Sequence, residues 1–280
     1  MDKKLSIVIP TYNRSFNVAC VLTALKNQEV QNFEVIVSDD GSKDETKAVY
    51  EEFKKAMPYD MKWHFQEDKG YRVSLARNEG ARIASTDNFL FVDSDVLLPP
   101  KVTGIYEELI NKYPHHVIAG PYDWLLPMEF EIEDVDKEAK NNYTKFANME
   151  FPAQKVNYTT ESHKDPRANV KWKGEVKKVY AGELISGNVL VPKKEYWEVD
   201  GFDEKMECRG QDNELGRALS KAGTPIYLDG RLKGYHLNHY RNQSEYGESV
   251  LIGIKHIHKK YNLEPITKEW ELEWRIQNGL

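Results

Sequence analysis

The side chains best placed for chemistry in this sequence are carboxylates that follow apolar runs. Phe89-Leu90-Phe91-Val92 leads directly into Asp93-Ser94-Asp95, two acids at i and i+2. Carboxylates at the end of so apolar a strand repel each other unless hydrated or bridged, so the spacing predicts a cation site at a strand end. Asp39-Asp40 stand before Gly41-Ser42 after a second apolar run, and Asp212 follows Gly210-Gln211 where a helical pattern begins. A carboxylate in the first turn of a helix is stabilised in its ionised form, which suits a general base for a hydroxyl group. His236 and His239 lie at i and i+3 in Gly234-Tyr235-His236-Leu237-Asn238-His239. Alone, such histidines read as surface or capping residues. A hard divalent cation such as Mn²⁺ accepts one imidazole among oxygens, whereas an all-oxygen set favours Mg²⁺ or Ca²⁺.

The elements that must position these groups alternate in type. Leu5 to Ile9 reads as a buried strand closed by Pro10, Thr11-Tyr12-Asn13-Arg14 as a loop, and Val18, Val21, Leu22 and Leu25 as one face of a helix. Phe33 to Val37 repeats the unit, with Ser42 and Glu45 expected to form a capping box for the helix that follows. Met61 to Phe65 is a third strand, Val73 to Ala84 a helix, Phe89 to Val92 a fourth strand, Lys101 to Tyr113 a helix and Val117 to Gly120 a short strand. This alternation predicts an α/β fold with a mostly parallel central sheet flanked by helices. Residues 121–180 mix charge, aromatics and proline and are expected to be an insertion, either a lid or acceptor surface or a helical excursion on the domain edge. Regularity returns with a strand over Glu183 to Pro192, a helix over Lys194 to Val199, a turn at Asp200 to Glu204 and a helix over Asp212 to Ala222. Residues 1–240 thus read as one catalytic domain, with halves 1–120 and 181–240, followed by a helical extension at 241–280. In that tail Tyr246 to Tyr261 is amphipathic, and Trp270-Glu271-Leu272-Glu273-Trp274 sets two indoles on one side. Packing on the domain or on a dimer mate is favoured over peripheral contact with a membrane, because anionic lipid would repel the acids between the tryptophans.

Composition narrows the partners. With 39 basic against 45 acidic residues the net charge is -6, and no basic run offers a local patch for nucleic acid. Two cysteines far apart match no metal-ligand spacing and fit a reducing compartment. With no apolar run long enough to span a bilayer and no leader-like start, a cytoplasmic address is expected.

In an open parallel sheet, ligands sit beyond the carboxyl ends of the strands. Three such ends carry polar groups here: Thr11-Tyr12, Asp39-Asp40 and Asp93-Ser94-Asp95. An aromatic ring to stack on, a carboxylate to accept an N–H and a carboxylate pair for a metal suit a nucleoside diphosphate. No glycine-rich phosphate cradle follows the first strand, so a divalent cation would carry most of the charge neutralisation.

Ile7 to Arg14, Val37 to Ser42, Gly70 through Ala76-Arg77-Asn78-Glu79-Gly80, and Asp93-Ser94-Asp95 together resemble the nucleotide-sugar-binding half of GT-A glycosyltransferases of the family-two type. The resemblance implies that Pro10, Thr11 and Tyr12 flank a uracil and that Asp40 accepts its N3–H. It places Arg77 near the diphosphate, Asp93 at ribose and metal, and Asp95 on the metal, with Arg14 and Ser94 in the same donor site. Gly187-Asn188, Gly201-Phe202-Asp203-Glu204 and Gly210-Gln211-Asp212-Asn213-Glu214-Leu215 are similar to the acceptor half of chondroitin-polymerase-like and polypeptide N-acetylgalactosaminyltransferase-like enzymes. There the resemblance implies Asp212 as base and His236 as a further metal ligand, with Glu183 and Asn188 as second-rank contacts to sugar. Gln211 stands where the inverting members carry a second acid. The expected activity is metal-dependent, inverting transfer from a UDP-sugar to an acceptor hydroxyl of a glycan or other glycoconjugate, with Mn²⁺ or Mg²⁺ as cofactor. A retaining N-acetylgalactosaminyltransferase-like enzyme, a sugar-nucleotide nucleotidyltransferase and a non-catalytic nucleotide-sugar-binding module remain as alternatives, and a homodimer is left open.

Overall fold

The computed structural model describes residues 3–124, 131–141, 143, 177–178, 184–237 and 243–277. Strands β1 (Leu5–Thr11) and β2 (Phe33–Asp39) are buried at every position, as their β-branched runs require of strands covered on both faces. With β3 (Met61–Phe65) and β4 (Asn88–Val92) they form a parallel block in the order β3-β2-β1-β4. Helices α1 (Ser15–Lys26), α2 (Thr46–Ala56) and α3 (Val73–Arg82) are the crossovers. Helix α3 lies close on the sheet because Gly80 has no side chain; a Cβ there would stand 2.5 Å from Val8 Cγ1.

Beyond β4 the sheet changes character. Strand β9 (Asn188–Pro192) enters antiparallel between β4 and β6 (Val117–Ala119), and β10 (Ile226–Leu228) and β8 (Lys177–Lys178) complete eight strands. A second sheet joins β5 (Val96–Leu97), β11 (Gly234–His236) and β7 (Tyr122–Trp124). Helix α4 (Val102–Lys112) precedes β6, α5 (Ile132–Ala139) buries Val135 and Ala139 in the core, and α6 (Lys193–Glu198) follows β9. Helices α7 (Gln211–Lys221), α8 (Gln243–Lys260) and α9 (Lys268–Gln277) close the chain. Among the described residues no helix is long and apolar enough to cross a membrane.

Two sequence expectations change in detail. Helix α2 begins at Thr46, so Ser42 and Glu45 form no capping box: Asp39 Oδ1 accepts the Ser42 N–H at 2.8 Å, and Ser42 Oγ turns to accept the Asn13 N–H at 2.7 Å. The positive φ of Gly41 (95°) permits that turn. Strand β9 starts at Asn188 rather than at residue 183. The tail is a helix fastened to α8 by ion pairs of Arg275 with Glu248 and of Lys255 with Glu271, while Trp270 is 39 % exposed. Apart from β7, α5, β8 and their nearest neighbours, the expected insertion at 121–180 lies outside the described residues.

Candidate active site

Parallel pairing brings the three polar strand ends side by side. Thr11 is in register with Asp39, and the Asp40 N–H donates to the Thr11 carbonyl at 2.9 Å. Pro10 and Thr11 are buried, and the Thr11 hydroxyl has no partner among the described residues. Tyr12 is 45 % exposed, with its hydroxyl donating to Asp68 Oδ2 at 3.2 Å, so a ring face is available for stacking. The Asp40 carboxylate is fixed by the Arg72 N–H at 2.8 Å and by Gln66 Nε2 at 2.6 Å. Each oxygen keeps a further lone pair for a donor from a base.

Asp93, Ser94 and Asp95 form a turn closed by the Val96 N–H on the Asp93 carbonyl at 3.0 Å. Arg77, buried on α3, places Nη2 2.7 Å from Asp93 Oδ1 and its guanidinium carbon 4.9 Å from the centre of the Phe202 ring. Its Nε and Nη1 are buried without a partner among the described residues. Two unspent donors on a buried cation are what an incoming phosphate would satisfy. Gly187 lies against Asp93, where a Cβ would stand 2.9 Å from Asp93 Oδ2.

The neighbouring acid takes a different environment. Asp95 precedes β5, and its carbonyl accepts the Leu237 N–H at 2.7 Å, which sets it beside β11. His236 Nε2 lies 3.2 Å from Asp95 Oδ1, and Arg14 Nη1 lies 3.6 Å from Asp95 Oδ2. His236 Nδ1 is 2.8 Å from the Leu237 carbonyl oxygen, which can only accept, so Nδ1 carries the proton. In the neutral ring Nε2 then turns a lone pair toward a carboxylate oxygen. That arrangement needs a positive charge between the two, either a proton or a metal ion, and the orientation of a ligating imidazole by a carbonyl on its other nitrogen is the usual one. Both residues are almost fully buried. Among the described residues no group of three or more His, Cys, Asp or Glu could hold a metal ion. Asp95 and His236 therefore fit a cation whose remaining positions are filled by ligand oxygens and water.

Asp212 stands in the first turn of α7, after Gly210, whose φ of 96° makes the left-handed turn before the helix. Its residue surface is half-buried, yet protein encloses the carboxyl. Burial pushes its pKa above the ordinary carboxylate value, and the Asp93 charge adds to this, while Arg77 and backbone N–H groups draw it down. The sequence predicts a carboxylate held ionised by the helix N-terminus; the structure adds a stronger opposing effect of dehydration, which makes the group more basic. Asn78, next to Arg77 on α3, fixes the acceptor turn: Nδ2 donates to the Phe202 carbonyl at 2.9 Å, and Oδ1 accepts the Phe202 N–H at 3.0 Å.

Donor residues Pro10, Thr11, Tyr12 and Asp40 thus share one rim, Arg77 meets Asp93, and Arg14, Asp95 and His236 form a second cluster, with Ser94 buried between the acids. Asn188 does not belong with them. Its side chain is buried, donating from Nδ2 to the Leu232 carbonyl at 2.7 Å and accepting the Tyr106 hydroxyl at 2.7 Å, so the amide is used within the core and has no surface for a sugar. Glu183 lies outside the described residues. Sequence reasoning missed Gln66, Tyr71 and Asn78 as parts of the site. Tyr71 and Asn78 both sit within the stretch Gly70 to Gly80 and could have been found there, whereas Gln66 lies in a loop with no pattern.

Comparison with known proteins gives this geometry a family. Residues 6–163 match glycosyl transferase family 2. Validoxylamine A glucosyltransferase of Streptomyces hygroscopicus is 31 % identical over 98 % of this chain and 64 % of its own length. Chondroitin synthase of Escherichia coli is 30 % identical over 78 % of this chain and 32 % of its own, so the chain spans less than two thirds of either relative. Among solved structures, S. aureus TarS 1-349 in complex with UDP-GlcNAc superposes with a TM-score of 0.61 at 16 % identity, over 89 % of this chain and 65 % of that one. The mannosyltransferase PcManGT from Pyrobaculum calidifontis, in complex with GDP-Man and Mn²⁺, gives 0.60 at 13 % identity, over 90 % and 63 %. At such identities the structural likeness establishes the GT-A α/β fold. The match over more than half of the chain, joined by a relative so similar along nearly all of it, shows that this chain belongs to glycosyl transferase family 2.

Proposed function

We propose that this chain transfers a sugar from a UDP-sugar to an acceptor hydroxyl on a glycan or other glycoconjugate, with inversion at the anomeric carbon. The observation that carries this reading is the convergence at one sheet edge of the Asp95–His236 pair, the Arg77–Asp93 pair with its unspent guanidinium donors, and Asp212 under the influence of both Arg77 and Asp93. Tyr12 stacks on the base, Asp40 accepts its N–H, and Arg77 turns Nε and Nη1 to the diphosphate. Asp95 and His236 would hold a divalent cation, Mn²⁺ or Mg²⁺, whose charge offsets that developing on the β-phosphate. Asp212 takes the proton of the acceptor hydroxyl as its oxygen forms the new bond to the anomeric carbon. The bond from that carbon to the diphosphate oxygen breaks, and its electron pair leaves with UDP. Because the base and the leaving group lie on opposite sides of the sugar, the configuration inverts.

The test is a screen of UDP-sugars for Mn²⁺-dependent stabilisation against unfolding, followed by product analysis with the donor that stabilises. A specific donor at about 100 times its dissociation constant raises stability by about 2.7 kcal/mol. A screen in which no UDP-sugar moves the unfolding midpoint, with or without Mn²⁺, overturns the reading.

A further inference from the structure

At the acceptor edge an arginine stands between two aromatic rings without an acid. The Arg209 guanidinium carbon is 4.5 Å from the ring centre of Tyr246 on α8 and 5.6 Å from that of Tyr71. Three nearby acids have other partners. Asp203 takes His256 at 3.0 Å and Lys260 at 2.8 Å, Glu214 takes Lys260 and the Tyr261 hydroxyl at 2.7 Å each, and Glu248 pairs with Arg275. Among the described residues no carboxylate pairs with Arg209.

The arginine is nonetheless held in place. Its N–H donates to Ser249 Oγ at 3.0 Å, and α8 comes so close that a Cβ on Gly253 would fall 1.8 Å from the Arg209 carbonyl oxygen. Backbone anchoring with an unpaired head group suits reception of a charge from outside, because a guanidinium lying on aromatic faces keeps its edge donors for an incoming anion. The same place shows a second sign of a ligand. Gln211, 6 % exposed and one residue before the base Asp212, donates from Nε2 to the Tyr71 hydroxyl oxygen at 3.3 Å, while its Oε1 is buried with no partner among the described residues. Tyr71 is 40 % exposed, with its hydroxyl enclosed and in the fields of Arg209, Arg77 and Asp93. It stands between the donor side and the acceptor side.

Resting on the transferase reading above, we infer that Arg209, Tyr71, Tyr246 and Gln211 form an acceptor subsite for an anionic sugar, one bearing a carboxylate or a phosphate. The sugar ring lies on the exposed face of Tyr71, a sugar hydroxyl donates to Gln211 Oε1, and the anionic group meets Arg209. The charge selects the acceptor, since the rest of the reaction centre is carboxylate-rich and would otherwise repel such a ligand.

The experiment is calorimetric titration of the chain saturated with UDP and Mn²⁺. The probes are a disaccharide ending in a uronic acid, its carboxyl-reduced neutral counterpart, and the same disaccharide ending in a hexose phosphate. At least one anionic probe is expected to bind roughly tenfold or more tightly than the neutral one, and the tighter of the two identifies the anion. Arg209→Gln is expected to abolish that ratio, and Arg209→Lys to keep part of it; unfolding midpoints report whether the variants are folded. Should Arg209→Gln fail to fold, the salt dependence of the parent's preference decides: a ratio that does not fall between low and high salt counts against an ionic subsite. If UDP binds and all three probes bind alike, or the preference survives intact in folded Arg209→Gln, the anionic subsite is overturned while the transferase reading stands. If UDP itself does not bind, the transferase reading fails, and this one with it.

Discussion

The donor half and the acceptor half of the site are built by different forces. On the donor side Thr11 closes β1 and Tyr12 follows it, Asp40 follows β2, and Asp93 and Asp95 follow β4, strands whose apolar positions are buried. The hydrophobic core fixes their backbone. On the acceptor side the segment leading to Asp212 is held by Asn78 at Phe202, rests on a small apolar cluster of Met206, Cys208 and Ile257, and is clasped by charge, with Asp203 and Glu214 gripping His256 and Lys260 of α8. The backbone of the donor strands is therefore set by the apolar core, whereas the packing of α8 on the acceptor side depends on ion pairs. Helix α8, within the expected helical extension, is thereby tied to the segment that leads to Asp212.

The sharpest break in this comparison is Asp212→Asn. An amide is nearly isosteric and cannot take the proton, so transfer should fall by about 10²–10⁴-fold while UDP affinity changes little. Steady-state transfer measured beside equilibrium UDP binding checks it, and full activity would remove the base assignment. On the donor side His236→Ala should weaken Mn²⁺ affinity by more than the roughly 10–100-fold that loss of an outer-shell partner costs, with Asp95→Ala at least as severe. Metal titrations that match the parent in both variants would eliminate the cation site.

The donor half was also the more legible in sequence, for the same physical reason. A buried parallel strand must be a continuous apolar run, so β1, β2 and β4 declare themselves, and the polar residues at their ends are marked as site candidates by position alone. Strand β9 was read five residues too long at its start, because Ser186-Gly187 looks extended until Gly187 is seen packing against Asp93. Strands β5, β7 and β10 went unread, being two or three residues each. Asn188 enters as a sugar contact through the resemblance, and only tertiary structure shows Tyr106 and the Leu232 carbonyl around its amide. The clasp on α8 was invisible for a similar reason. Its partners lie 40 to 57 residues apart in sequence and follow no period.

Gly253→Ala probes the close approach on the acceptor side alone. The new methyl meets a carbonyl oxygen rather than a flexible side chain, so α8 or the Arg209–Gly210 segment must shift, at a cost of about 1–3 kcal/mol. Transfer should drop with UDP affinity preserved, and a matched loss of both would mean that the two halves are not mechanically separate.

The smallest expected effect tests the ionic clasp by acid. Burial alone would raise the Asp203 carboxyl, but hydrogen bonds from Lys260 and His256 overcome it and hold the group at about 2, against an ordinary value of 3.8. A folded pKa below the unfolded one gives stability that is complete above about 4 and is lost as pH falls through about 2. The loss is about 0.3 kcal/mol at pH 4 and about 1 kcal/mol at pH 3. Glu34 on β2 is a natural control. It too is held at about 2 despite its burial, by Ser85, Ser6 and Lys62, but it sits at the opening end of its strand, away from the site. Acid should therefore weaken acceptor binding between pH 4 and pH 3, measured at equilibrium because Asp212, raised above the ordinary carboxylate range, is protonated there. Asp203→Asn should remove that pH dependence by loosening the clasp at every pH, and Glu34→Gln should leave it in place while lowering overall stability. Equilibrium acceptor binding whose acid profile is the same in Asp203→Asn as in the parent would show that the clasp does not set acceptor geometry, and the contrast between the two halves would then rest on the Gly253 contact alone.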